Sequence, residues 1–164
     1  MTQRYWVNPA NNNLADFYMF ANINLKKFPL VNIDLYDIEK PSDFNDFLNF
    51  WEKLHDKNQE YFFLFNTETM SMPSPSYAIK ISEFIKKMKL KPYNPLGFSI
   101  ICVKSAFIRN LVSLVFKFTT PMSPVYLVKT KEEGLQVYEQ LRENKEVSCA
   151  KVLPSSKKEI TQSE

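Results

Sequence analysis

Apolar and polar positions change period several times along the chain, and each change predicts an element. From Phe28 to Tyr36, Val31, Ile33 and Leu35 alternate with Leu30, Asn32, Asp34 and Tyr36, the period-two pattern of a strand with unlike faces. The aromatic and branched stretch from Asp16 to Leu25 predicts a partner strand, with a hairpin turn around Lys26 and Lys27. The period then lengthens. Phe44, Phe47, Leu48, Trp51 and Leu54 recur at helical spacing behind Ser42, which stands as an N-cap with Asp43 in the first turn, so a helix is predicted over 43–57. Tyr61 to Phe65 is a short aromatic run that suits a central strand buried on both faces. Beyond a Ser/Pro-containing loop, Ala78, Ile81, Ile85 and Met88 mark a second helix, opened by Ser74-Pro75 as N-cap and first helical residue and closed among Lys86, Lys87, Lys89 and Lys91.

Pro92, Pro95 and Gly97 break that helix, and Phe98 to Val103 predicts another buried strand. Ser105 caps the next helix, over 106–117. Its polar residues Arg109, Asn110, Ser113 and Lys117 form one narrow stripe while Ala106, Phe107, Ile108, Leu111, Val112, Leu114, Val115 and Phe116 cover the rest, so it is either deeply buried or partly an interaction surface. Val125 to Val128 reads as a strand. Thr130 and Glu133 form a capping box that opens a last helix carrying Leu135, Tyr138 and Leu141. After Val147 the chain turns polar, which predicts one α/β domain over 1–147 and a flexible tail over 148–164. Strands alternating with crossover-length helices, in the order ββαβαβαβα, predict a single-layer mixed and mainly parallel sheet flanked by about four helices.

Composition narrows the function. A chain of 164 residues fits one domain, and 45% hydrophobic content with 14 Phe and 8 Tyr supplies a core and excludes wholesale disorder. Net charge is only +3, and the basic residues are scattered along the sequence, so no electrostatic footprint for nucleic acid or membrane stands out. Thr2 to Asn13 lacks the basic region and apolar run of a secretory signal, and no window is long enough to insert in a membrane, so a cytoplasmic protein is expected. Cys102 and Cys149 show no metal or redox spacing and read as reduced thiols, Cys102 as an inert one in the core.

With only Gly97 and Gly134, neither a dinucleotide-binding fingerprint nor a phosphate-binding loop can be written, because both need several glycines where backbone approaches phosphate. His55 is the one histidine, which excludes a multi-histidine metal site, and its place late in a helix reads as a surface position favourable to a cation. Asp34, Asp37, Asp43 and Asp46 cluster around one strand-helix junction, where a solvated loop and a helix cap account for them. No enzyme, cofactor or metal is expected. Exposed aromatics are candidate docking points: Tyr5 and Trp6 near the start, and Phe116, Phe118 and Met122 at the end of the apolar helix. Ser74-Pro75, Thr120-Pro121 and Ser123-Pro124 have the form of proline-directed phosphorylation sites, although such dipeptides also serve as plain turns.

The element order over about 17 to 143, with its closing strand and capped helix Pro-Val-Tyr-Leu-Val-Lys-Thr-Lys-Glu-Glu-Gly-Leu (124–135), resembles the STAS domains shared by sulphate transporters and anti-sigma factor antagonists. That resemblance implies a regulatory protein-interaction module whose loop after the central strand carries a phosphorylatable hydroxyl at a helix N-terminus. The matching stretch is Met72-Pro73-Ser74-Pro75-Ser76, in which Pro73 replaces the family's Asp, Pro75 its usual phosphoacceptor and Ser76 its Gly. The switch sequence is therefore not kept, and Ser74 and Ser76 remain as the hydroxyls open to phosphorylation. The chain is also similar to lipid-transfer domains of the Sec14 and CRAL-TRIO kind in pairing an α/β sheet with a strongly apolar late helix.

A non-catalytic regulatory or scaffolding module is thus expected, engaging an unidentified protein partner through Thr67, Thr69, Ser71, Ser74, Ser76, Tyr77, Phe116 and Phe118. The alternative is a domain that binds lipid or a hydrophobic small ligand, and the two separate on whether helix 106–117 is covered or lines a cavity. An exposed edge strand at 17–25 would also permit a homodimer.

Overall fold

The computed structural model describes residues 16–17, 20–147 and 150–153. Tyr5, Trp6 and Cys149 lie outside them. The elements run β1 (Asp16–Phe17), β2 (Ala21–Asn24), β3 (Leu30–Leu35), α1 (Pro41–Asp56), β4 (Tyr61–Asn66), α2 (Pro75–Met88), β5 (Leu96–Cys102), α3 (Ala106–Phe118), β6 (Val125–Val128), α4 (Lys131–Arg142) and β7 (Lys151–Leu153). They form one mixed sheet whose strands stand in sequence order from β1 to β7. β3 to β6 are parallel, while β1, β2 and β7 join antiparallel at the sides. The single-layer mixed sheet with four helices read from the periodicity is what the chain forms, with half of its strand pairings parallel and with β1 and β2 in place of the one strand expected there.

Two local differences have plain causes. The first helix starts at Pro41 with Lys40 as its N-cap, so Ser42 lies inside its first turn. Proline is favoured at the first helical position, where its missing N–H costs nothing. The second is β7, which lies within the segment read as a tail and pairs with β6 through Val125 opposite Leu153.

Because β3, β4, β5 and β6 follow one another across the sheet, crossovers of a single hand must all pass over the same face. α1, α2 and α3 share that face. There Ile23, Val31, Ile33, Tyr61, Phe63 and Leu96 meet Phe44, Phe47, Trp51, Leu54, Ala78, Phe84, Ile85, Met88 and Val115 in one cluster. The opposite side of the pleat presents Phe62, Leu64, Phe98, Ile100, Cys102 and Val128 to α4 alone, through Val137. The two layers pack at different depths. Gly134 lets α4 lie close, since a Cβ there would come within 2.6 Å of Leu64 Cδ1 and 3.3 Å of Cys102 Sγ. On the three-helix face, large rings intervene, among them Trp51 against Phe63 at 5.2 Å and against Phe84 at 5.1 Å between centroids.

Gly97 is the other constrained glycine. The register between β4 and β5 shifts between Tyr61 and Phe63, and at this irregularity the Phe62 ring covers Gly97 so closely that a Cβ would lie 2.2 Å from it.

Candidate functional site

The three-helix face is not filled. Between it and the sheet lies a cavity of about 150 Å³. Its floor is the sheet, with Phe65 and Thr67 continuing from β4, Ser99 and Ile101 on β5, and Val125 on β6. Ser99 stands between Phe63 and Val125 in register, a small side chain where a large one would fill the space. Its roof is made by Phe44, Phe47 and Trp51 of α1, Tyr77, Ala78, Ile81 and Ile85 of α2, and Ile108, Leu111, Val112, Val115 and Phe116 of α3. Met70 and Pro73 of the loop after β4 close the end where the parallel strands terminate, together with Leu35 and Ile38.

Helix α3 accordingly is neither deeply buried nor a free surface. Only Ile108 and Val115 are buried. Phe107, Leu111, Val112, Leu114 and Phe116 are half-buried, because α3 packs along α2 and turns the rest of its apolar side to the cavity or to solvent. Half-buried Met70, Tyr77, Ile81, Leu111 and Val112 mark walls that reach water.

The lining offers almost no polar chemistry. The Thr67 hydroxyl donates to the Cys102 carbonyl at 2.7 Å, so it is already engaged. Trp51 points its Nε1–H away from the cavity to the Tyr61 hydroxyl at 3.0 Å. Tyr61 in turn lies 2.7 Å from His55 Nδ1. An indole N–H only donates, so Tyr61 accepts from Trp51. Contrary to the surface position read from the helix pattern, His55 is only 2% exposed, since the same helix face that carries Trp51 and Leu54 turns it inward beneath Tyr61. Burial holds its imidazole below the usual value and pushes the Tyr61 phenol up.

The carboxylates do not converge. Asp34 accepts from Asn66 Nδ2 at 3.0 Å, and Asp37 takes both the N–H and the hydroxyl of Ser71, at 2.8 and 2.7 Å, which lowers its carboxyl. Asp43 is buried rather than solvated. Cys102 faces α4, donates to the Thr130 carbonyl at 3.4 Å, and is pushed up to about 12 by burial, which makes it a poor nucleophile. Among the described residues no cluster of His, Cys, Asp and Glu stands close enough to hold a metal ion.

The candidate partner residues divide into three groups. Thr67, Tyr77 and Phe116 line the cavity. Thr69 and Ser71 anchor the loop to the end of β3, Thr69 donating to the Leu35 carbonyl at 2.7 Å. Ser74, Ser76 and Phe118 are exposed, with the two serine hydroxyls 3.0 Å apart at the start of α2. Sequence reasoning missed most of the cavity. Its available signals were the surplus of apolar positions on α3 and the small Ser99 inside an otherwise bulky strand. The chain matches no family model, no curated protein and no solved structure.

Proposed function

We propose that this chain is a non-catalytic binding domain that holds a hydrophobic small molecule, or one apolar chain of a lipid, in the cavity under α3. One observation carries the reading: a cavity of about 150 Å³ whose walls come almost wholly from Phe, Leu, Ile, Val, Met and Trp. Left empty, these apolar walls forgo contacts that a filled space would make. A cavity this apolar also does not hold water, which needs polar partners, whereas it takes up apolar molecules readily. An occupant would recover the lost contacts. The lining supplies no charge to recognise a headgroup, so any charged part of the ligand would sit outside, near Thr69, Ser71 and Ser74. Native mass spectrometry of protein purified from its own host tests this. A co-purifying apolar mass is expected, and a homogeneous apo mass together with no uptake of a hydrophobic fluorescent probe would overturn it.

A second reading, a regulatory protein-interaction module of the STAS kind, draws support from the loop at the cavity's end. Met72 is 74% exposed at its tip, and Ser74 and Ser76 stand in solvent at a helix N-terminus, where a phosphate or acidic side chain is favoured. A pull-down comparing wild type with Ser74→Glu/Ser76→Glu should then change the set of bound proteins, and identical sets would remove the loop as a contact.

A further inference from the structure

The lysines that look scattered in sequence are gathered by the fold. α1, α2 and α3 all run back along parallel strands on one face, so their C-termini and the starts of β3, β4 and β5 share one end of the molecule. That end carries Lys26, Lys27, Lys53, Lys57, Lys86, Lys87, Lys89, Lys91 and Lys117 against Glu52, Asp56, Glu60 and Glu83. The end of α4 adds a mixed set, Arg142 and Lys145 with Glu139, Glu143 and Glu146. Four large apolar side chains project from the same rim: Phe28 at 38% exposure, Leu90 at 85%, Tyr93 at 65% and Phe118 at 47%. The Lys89 ammonium donates to the Thr120 hydroxyl at 2.6 Å, which ties the end of α2 to the turn after α3.

A cation after a helix C-terminus is explained by the helix dipole. Leu90 and Tyr93 are not, because no dipole calls for an apolar side chain in water. Apolar and aromatic tips standing among lysines match the boundary of a bilayer, where rings and leucines enter the headgroup layer and cations meet anionic phosphates. The short rim, with no helix among the described residues long and apolar enough to cross a membrane, fits contact with a surface rather than insertion.

We infer that this end of the domain docks peripherally on bilayers containing anionic lipid, with Leu90, Tyr93 and Phe118 as apolar contacts and Lys86, Lys89 and Lys117 as cationic ones. The proposal goes beyond the cavity reading and does not depend on it: the rim lies at the end of the sheet where the parallel strands begin, opposite the loop residues Met70 and Pro73 that close the cavity.

Co-sedimentation of the full chain with vesicles of phosphatidylcholine alone and of phosphatidylcholine mixed with phosphatidylserine tests it. Binding should appear with the mixed vesicles, weaken as salt rises, and fall roughly thirtyfold for Lys86→Gln/Lys117→Gln, at about 1 kcal/mol for each lysine. Leu90→Ser/Tyr93→Ser should also weaken it. These positions are exposed, so unchanged thermal unfolding would show that the fold is kept. Equal binding to both vesicles, wild-type binding by both variants, or capture of an acidic protein without vesicle binding would each overturn the proposal. Probe uptake by the cavity, measured in the same variants without vesicles, should be unchanged, which separates failure of docking from failure of the ligand reading.

Discussion

The hydroxyl of Tyr61 and Nδ1 of His55 meet at 2.7 Å in the core, where burial disfavours the charged imidazole. In the unfolded chain the imidazole takes up a proton near its usual 6.5, but in the folded domain burial lowers that value. Between the two the unfolded chain binds more protons, so stability is complete above about 6.5 and declines as pH falls below it. Urea midpoints should therefore drop between about pH 7 and pH 5. In His55→Gln, which cannot be protonated, the same interval should be flatter. An unchanged slope in the variant would move the acid sensitivity elsewhere.

Gly134 is held against Leu64 and Cys102 with no room for a methyl group. Gly134→Ala should destabilise the domain by about 1 to 3 kcal/mol, the usual range for overpacking, despite alanine's better helix propensity. Chemical denaturation would measure it. A stabilised variant would mean that α4 shifts freely on the sheet.

Filling the cavity should have the reverse effect. Leu111→Phe or Val112→Phe places a ring in the space under α3 and should raise stability by about 0.5 to 2 kcal/mol while abolishing uptake of a hydrophobic probe. Loss of stability with uptake intact would show that these side chains do not project into the void.

The helix caps differ in quality. Thr130 accepts the Glu133 N–H at 3.1 Å while Glu133 reaches back to the Lys129 N–H at 2.9 Å, a complete capping box, but Ser74 accepts from Ser76 only at 3.4 Å. Thr130→Ala should cost about 1 kcal/mol and Ser74→Ala clearly less. Equal losses would give the hydroxyl of Ser74 a structural part that its geometry does not show.

Period-two and helical spacing were enough to read the strands, the helices and their alternation, because each pattern reports which side of an element a residue takes. Spacing says nothing about how far apart two packed elements stand, and for that reason the cavity was not legible: it depends on Ser99 and Phe116, distant in sequence, failing to meet. His55 escaped for a related cause, since helical position places it near Trp51 and Leu54 but only the neighbouring strand supplies the Tyr61 hydroxyl that makes burial tolerable. Lysines scattered along the sequence became a rim only through the common direction of three helices.

The sheet's spatial order repeats its sequence order, and this has a consequence for how the domain is assembled. Each new strand from β2 to β6 docks on the strand that precedes it in the chain, so no loop must close over an element not yet in place. No pairing spans more than one crossover, which allows growth from the N-terminal side as the chain is synthesised. The cavity acquires its full roof late, because α3 comes after every strand of its floor but one.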